Sequence, residues 1–485
     1  MNNSLLLGDE AIAQAALDAG LSGVYAYPGT PSTEITEYIQ ASPTAKQRGV
    51  HSRWSTNEKT AMEAALGMAF AGKRAMVCMK HVGVNVAADA FMNAAVTGVV
   101  GGLVFVAADD PSMHSSQNEQ DSRYYGQFAL IPIFEPSNQQ EAYDMVFDAF
   151  DLSEALGTPV MLRITTRLAH SRAGVTRRAE RKENDLRFST NPSQFVLLPA
   201  NARKQYNALL AKQTLFQEAS AKATSNKYTP GADRSKGFLA AGIAYNYLME
   251  HFPNGCPHPV LKIGQYPLPI EAVKTLAADC DELVVLEEGY PLIEEALTGL
   301  LDSRWVIRGR IDGLLPRTGE LNPDHVGVAL GFPAVTEVEV PEQVRMRPPS
   351  LCTGCGHRDV FEALQVVYKE KADECRIFGD IGCYTLGYLP PFRAMHACVD
   401  MGASITMAKG AADAGLKYPV AVIGDSTFTH SGMTSLLDAI NDRSCITVII
   451  SDNETTGMTG GQQSAGTGKL EAICQGLGVE PDHLH

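Results

Sequence analysis

A surplus of positive charge is the first thing this chain lacks: over 485 residues, 40 Lys and Arg stand against 55 Asp and Glu, a formal charge of −15. Nucleic acids and anionic membranes are bound through a positive footprint, so neither is an expected partner. Long apolar runs are missing too. The longest low-polarity stretch, residues 94–108, falls short of the roughly 18–20 residues that a membrane helix needs. It reads instead as a buried helix end running into a core strand. The first four residues carry no positive region before Leu5, Leu6 and Leu7, so no secretory signal is read and a cytoplasmic protein is expected. Cysteine is sparse at ten residues, which suggests reduced thiols, some of them metal-binding, rather than a disulfide framework. There is no tandem repeat and no low-complexity segment. What is left is a small-molecule enzyme of about three domains.

The pattern along the chain predicts an α/β protein. Residues 10–19 are Ala-rich and helical, 23–27 form a short buried strand, and a further helix starts at Thr33. More strands are predicted at 74–79, 102–107 and 159–164. Strands separated by helical stretches signify a parallel sheet covered by helices on both faces. This first unit is expected to span 1–170. The composition shifts from about Thr165, where Arg167, Arg172, Arg177, Arg178, Arg181, Lys182 and Arg187 crowd together ahead of a polar helical stretch, and a connector is expected at 171–236. Such a run fits either a docking patch for an acidic partner or a solvated connector helix. A second α/β unit is read at 237–334, with helices at 240–250 and 270–278 and strands at 260–263 and 282–287. Residues 335–349, with three prolines, read as a linker, and a third unit covers 350–485.

That third unit carries the strongest chemical signal. A buried strand at 418–424 delivers Gly424, Asp425 and Ser426; a helix follows at 433–440, and a second strand at 446–450 ends in Asp452, Asn453, Glu454 and Thr455, with Gly457 behind them. An acid and an amide thus sit at the carboxyl ends of two strands of one βαβ unit, the edge where open parallel sheets bind ligands. Mg²⁺ takes hard oxygen ligands and shares them with phosphates. Asp425 offers a carboxylate, Asn453 an amide oxygen and Thr455 its backbone carbonyl. Gly-rich turns let backbone N–H groups reach a diphosphate. An aspartate after a strand is often only a helix cap, so it is the spaced pair that points to a cofactor.

The pair Gly424-Asp425-Ser426 and Asn453-Glu454-Thr455 resembles the thiamine-diphosphate motif. Its continuation Thr459-Gly460-Gly461-Gln462 is similar to that of the 2-oxoacid:ferredoxin oxidoreductases. Tyr27-Pro28-Gly29-Thr30-Pro31-Ser32 resembles the pyrimidine-domain signature of the same superfamily. Asn57-Glu58-Lys59, the run from Met79 through Lys80 and His81 to Asp89, the run from His114 to Arg123, Cys352-Thr353-Gly354-Cys355-Gly356-His357-Arg358 and the run from Gly379 through Gly382 and Cys383 to Gly387 together resemble the large (alpha) subunit of indolepyruvate ferredoxin oxidoreductase. The resemblance implies that the first and third units enclose thiamine diphosphate and that the middle one is like the C-terminal domain of transketolase.

It also implies roles. Glu58 is the carboxylate for N1′ of the pyrimidine; on residue type alone it could equally be a helix-start acid offsetting the macrodipole. Thr30 and Arg123 match positions near the substrate carboxylate, which a guanidinium can hold through two hydrogen bonds. A turn role competes for Thr30. His81 and His114 could donate to an oxyanion or relay a proton, or be ordinary buried, hydrogen-bonded histidines. Gly382 and Cys383 fall in the cofactor-binding set. The implied reaction is oxidative decarboxylation of an aryl 2-oxo acid to acyl-CoA and CO₂, with one-electron transfer to ferredoxin, in a two-fold assembly with a smaller beta subunit. Cys352, Cys355 and Cys383 match three of the four thiolates of a [4Fe–4S] cluster; zinc with His357 and free thiols stay open. Cys474 reads as part of an amphipathic helix. Repeated ferredoxin-type cysteine runs are absent, so the third unit is expected to stop short of the family pattern. A non-oxidative decarboxylase and a non-catalytic assembly subunit are the competing functions.

Overall fold

The computed structural model describes residues 3–189, 191–301, 305–333, 341, 343–345 and 350–485. The chain divides into two compact units, Met1–Glu337 and Val338–His485. The expected linker at 335–349, apart from residues 341 and 343–345, lies outside the described residues.

In the first unit the helix Gly8–Asp18 owes its stability to alanines that pack without loss of side-chain entropy. The strands Ala75–Lys80 and Leu103–Asp109 are buried along nearly their whole length, which is why they read as apolar runs with no alternation. They lie at the middle of a seven-stranded sheet ordered Gln265–Tyr266, Ile133–Phe134, Val160–Thr165, Leu103–Asp109, Ala75–Lys80, Gly23–Ala26, His51–Trp54. All its pairings are parallel except that of Gln265–Tyr266 with Ile133–Phe134. Residues 94–108 run from the end of the helix His81–Thr97 into Leu103–Asp109, as the sequence predicts.

A second sheet in this unit is ordered Val306–Arg308, Glu282–Leu286, Gly237–Ala241, Val260–Ile263, Lys227–Thr229. The expected helix at 240–250 is corrected here: it starts only at Ile243, because Gly237–Ala241 is the central strand. A short apolar run buried on both sides has no period to distinguish strand from helix. The chain breaks between the two at Gly242, whose φ of 52° suits glycine.

The arginine-rich stretch is also corrected, since from Arg172 to Arg187 it is not helical, and the long helix begins at Pro199 and runs to Lys222. Arg177 pairs with Asp18 at 2.6 Å, Arg178 with Asp144 at 2.8 Å and Arg181 with Asp151 at 2.5 Å. Arg178 and Arg181 also lie over the Phe147 ring. The basic run is therefore strapped along the acidic face of the helix Gln139–Leu156.

The second unit has one parallel sheet of Cys375–Gly379, Tyr418–Gly424 and Thr447–Ser451, in that order. Alternate residues of its central strand face different cores: Val420 and Val422 pack with Phe361, Leu364 and Tyr384, and Ala421 and Ile423 with Ile405, Phe428 and Leu436. Cys474, in the helix Leu470–Leu477, is buried in the latter core as its sequence context predicts, whereas Cys355 and Cys383 pack against the former.

Candidate active site

Four adjacent strands of the first sheet end on one edge, where Thr30 and His114 lie in the segments that leave the strands, Lys80 ends its strand, and Glu58 and His81 begin the helices that follow. Asn57 caps the helix Glu58–Phe70, its side chain accepting from Thr60 N at 2.8 Å. Glu58 is thereby the first helical residue, yet it is only 5% exposed. A helix-start acid serving the macrodipole alone has no need of burial. Its carboxylate lies against Gly83: a Cβ there would stand 2.7 Å from Glu58 Oε1. Only a glycine lets the helix His81–Thr97 pass so close.

The turn before the helix Thr33–Ala41 is held by Ser32 N donating to Gly29 O and by Gly29 N donating to Thr33 Oγ1. Among the described residues no hydrogen bond uses the Thr30 hydroxyl, so the turn does not depend on it. Lys80 is the group that sequence reading passed over. Its stem packs on Gly29, its Nζ donates to Ser115 O at 2.9 Å, and burial pushes its pKa down to about 8 against the opposing pull of Asp110 and Glu58. The available signal was a lysine ending an otherwise apolar strand.

His81 is fully buried; Nε2 donates to Asn118 O at 3.0 Å, and burial holds the ring below its usual pKa. The neutral ring leaves Nδ1 as an acceptor, and Nδ1 has no partner among the described residues. In this tautomer its remaining nitrogen takes a proton rather than donating one. His114 does not turn to Glu58: its half-exposed ring faces Glu320 at 3.4 Å.

Arg123 already has protein partners on every guanidinium nitrogen. It is fully buried, and its guanidinium pairs with Asp121 at 2.5 Å and Glu287 at 3.0 Å and donates to Tyr266 OH, Glu288 O and Tyr290 O. With these donors engaged, a substrate carboxylate could bind only by displacing one of the protein's own. Arg163, bound to Asp109 at 2.8 Å and Glu135 at 2.6 Å, completes a hub that ties the carboxyl ends of the two sheets together. Carboxylates outnumber the arginines. Burial would raise Asp121, but Arg123 and Arg163 hold it at about 2, whereas burial lifts Glu287 and Glu288 to about 7 despite Arg123 and Arg163 respectively.

In the second unit the sheet delivers Asp425 and Asn453 from adjacent strands. The Asn453 carboxamide points one heavy atom at both Asp425 Oδ1, at 3.1 Å, and Thr455 O, at 2.8 Å. With nitrogen there, these are two hydrogen bonds. With oxygen there, three oxygens converge at separations close to the roughly 2.9 Å octahedral edge set by Mg²⁺–oxygen distances of 2.0–2.1 Å. Asp425 Oδ2 is buried with no hydrogen-bond partner, and burial raises the Asp425 pKa. Ser426 Oγ lies 2.9 Å from Thr456 Oγ1. A single π turn, Phe428–Gly432, follows Asp425–Thr427; it was not legible in the sequence.

The thiol of Cys383 lies against Gly457, 3.3 Å from where a Cβ would be, and Gly382 precedes it in the same loop. Burial, then the neighbouring Cys355 and Cys352, raise its pKa. The fold therefore gathers the three cysteines, and Cys355 Sγ stands 3.1 Å from His357 Nδ1. Among the described residues, however, no three of these ligand atoms lie within 4.8 Å of one another. A tetrahedral zinc site would place its sulfurs about 3.8 Å apart, given Zn–S of about 2.3 Å, so no preformed zinc site is present.

Residues 14–225 match the family described as pyruvate flavodoxin/ferredoxin oxidoreductase, thiamine diphosphate-binding, and residues 380–483 the thiamine pyrophosphate enzyme C-terminal domain. The indolepyruvate oxidoreductase subunit IorA of Methanothermobacter thermautotrophicus is 40% identical over 480 residues, covering 95% of this chain and 76% of that one. The same subunit of Archaeoglobus fulgidus is 39% identical over 506 residues, covering 98% and 80%. A solved 2-oxoglutarate:ferredoxin oxidoreductase from Magnetococcus marinus superposes with a TM-score of 0.53 at 15% identity, over 68% of this chain and 65% of that one, which shows a shared fold. On the extent of these matches, the chain belongs to the family of the indolepyruvate oxidoreductase subunit IorA.

Proposed function

We propose that this chain is the thiamine-diphosphate-binding subunit of an enzyme that oxidatively decarboxylates an aryl 2-oxo acid of the indolepyruvate class to acyl-CoA and CO₂ and passes electrons singly to ferredoxin. The observation that carries the reading is the convergence of Asp425 Oδ1, the Asn453 carboxamide and Thr455 O at the carboxyl end of a parallel sheet, beside a buried carboxylate oxygen with no partner. Those are the donors that Mg²⁺ takes when it shares phosphate oxygens. Asp425, Asn453 and Thr455 would hold the ion, and Gly424, Ser426 and Gly457 would line the diphosphate. When bound, thiamine diphosphate supplies the carbanion that adds to the 2-oxo carbon and accepts the electron pair left by CO₂.

The remaining work falls to the protein. Glu58, kept in place by Gly83, holds the proton at the pyrimidine N1′. Thr30 and Lys80 flank the place where a 2-oxo acid would lie, and the Lys80 ammonium offers the carboxylate a charge that Arg123 has already committed elsewhere. Cys352, Cys355 and Cys383 supply thiolates to a [4Fe–4S] cluster whose fourth ligand lies outside this set. The relatives are named as subunits, which supports a smaller partner chain. No helix of the described residues is long and apolar enough to cross a membrane.

The test is anaerobic purification with the partner chain, metal and sulfide analysis, and an assay of ferredoxin or dye reduction with indolepyruvate, phenylpyruvate and pyruvate in the presence of coenzyme A. Reduction fastest with the aryl substrates is expected. Aldehyde formed at full rate without an acceptor would establish the non-oxidative decarboxylase instead. Tight cofactor binding without CO₂ release would establish the assembly subunit.

A further inference from the structure

Buried polar atoms in folded chains are nearly always hydrogen-bonded, so an exception points to an unseen water, ion or proton. Asp9 is such an exception twice over: it is fully buried, and neither carboxylate oxygen has a hydrogen-bond partner. It lies in the first turn of the helix Gly8–Asp18. Two further ligand-type groups converge on it, Glu34 from the first turn of the helix Thr33–Ala41 and His170 from the end of the helix Thr166–His170. One ligand atom from each of the three lies within 4.8 Å of the other two. His170 Nε2 is 3.4 Å from Glu34 Oε1, while Glu34 Oε2 is buried without a partner. The arrangement has a closed floor at Asp9 and a half-open rim, the His170 and Glu34 side chains being 34% and 36% exposed.

We propose that Asp9, Glu34 and His170 bind a divalent cation of the zinc class. Two carboxylates and a neutral imidazole carry two negative charges, which a divalent ion balances. Arg172 does not supply that balance, because it lies against Glu10 at 3.7 Å. Two oxygens and one imidazole nitrogen form a borderline donor set suited to Zn²⁺, with the open rim admitting water as the fourth ligand. The ion would fasten together three segments distant in sequence. One of them is the helix that follows the Thr30 turn directly, so the site would steady that turn from behind. The competitor for the same space is a proton shared between Asp9 and Glu34, since burial and the neighbouring Glu34 push Asp9 well above the usual carboxylate range.

Zinc binding decides between them, with Cys352, Cys355 and Cys383 removed from the count. The 485-residue chain carrying C352S, C355S and C383S is stripped with a chelator, re-equilibrated with Zn²⁺, and examined for bound metal and thermal stability. One equivalent of Zn²⁺ per chain and a raised Tm are expected, and adding Asp9→Asn or His170→Gln should abolish both effects. The carboxamide introduced by Asp9→Asn could still hydrogen-bond Glu34, so the shared-proton arrangement predicts that this variant folds normally; His170→Gln alters only the rim. No zinc in the background lacking those three thiols, or zinc retained in either variant, overturns the site and leaves the shared proton. Because metal content is read directly, failure here would say nothing against the decarboxylase assignment, and failure of that assignment would leave the zinc count standing.

Discussion

The carboxyl-end edges of the two units solve opposite problems with the same residue types. In the first unit, Arg123 and Arg163 face Asp109, Asp121, Glu135 and Glu287, and every guanidinium nitrogen meets a protein oxygen. In the second, Asp425 keeps a buried oxygen without a partner, and the Asn453 carboxamide points one heavy atom at two protein oxygens. A closed set of charges holds elements together. An open set of like donors costs stability and is a reason to look for a ligand.

The comparison can be broken by substitution. Asp425→Ala should have the largest effect, at least 1,000-fold in the ferredoxin-reduction rate, about 4 kcal/mol, with no loss of Tm; isothermal titration with Mg²⁺ and thiamine diphosphate should show binding gone. Unfolding of this variant at low temperature would mean that the second edge is structural too. Arg123→Ala should act on stability instead, by roughly 3–5 kcal/mol in denaturant unfolding, because it strands Asp121 and Glu287 as unpaired buried acids. If it spares stability and raises KM for the 2-oxo acid, Arg123 binds substrate after all.

Smaller effects sharpen the contrast. Gly83→Ala places a methyl group against Glu58 and should slow turnover about 100-fold, the cost of misplacing a reacting group by about 1 Å, while cofactor affinity at the diphosphate end is unchanged. An unaltered rate would remove Glu58 from the chemistry. Glu287 reads out the hub by pH. Its folded pKa of about 7 stands above the ordinary 4.5, so its stabilising contribution is complete below pH 4.5 and is lost as pH rises through 7. Glu287→Gln should flatten that fall, by about 1–3 kcal/mol, in unfolding curves at pH 5 and pH 8; parallel curves for variant and parent would show that the proton resides elsewhere.

How far the sequence could be read depended on how local the cause was. The strands Val260–Ile263 and Tyr418–Gly424 and the helices Ile270–Ala278 and Leu470–Leu477 were legible to the residue, because periodicity and apolar runs are properties of consecutive side chains. Gly237–Ala241 was misread for want of a period. The strands Lys227–Thr229 and Gln265–Tyr266 escaped notice, being too short to carry one and existing only by pairing with distant partners.

The site residues divide the same way. Asp425, Asn453 and the three cysteines are proposed from motifs that consecutive residues spell out. What sequence by itself determined is thus the longer, strongly patterned elements, the acid and amide that follow two strands and, through the quoted motifs, the family. Tertiary structure alone decided that Arg123 faces Asp121 and Glu287, that Gly83 backs Glu58, that Lys80 lies beneath Gly29, and that Asp9, Glu34 and His170 meet. Burial and charge pairing depend on which distant segments come together, and no window of neighbouring residues contains that information.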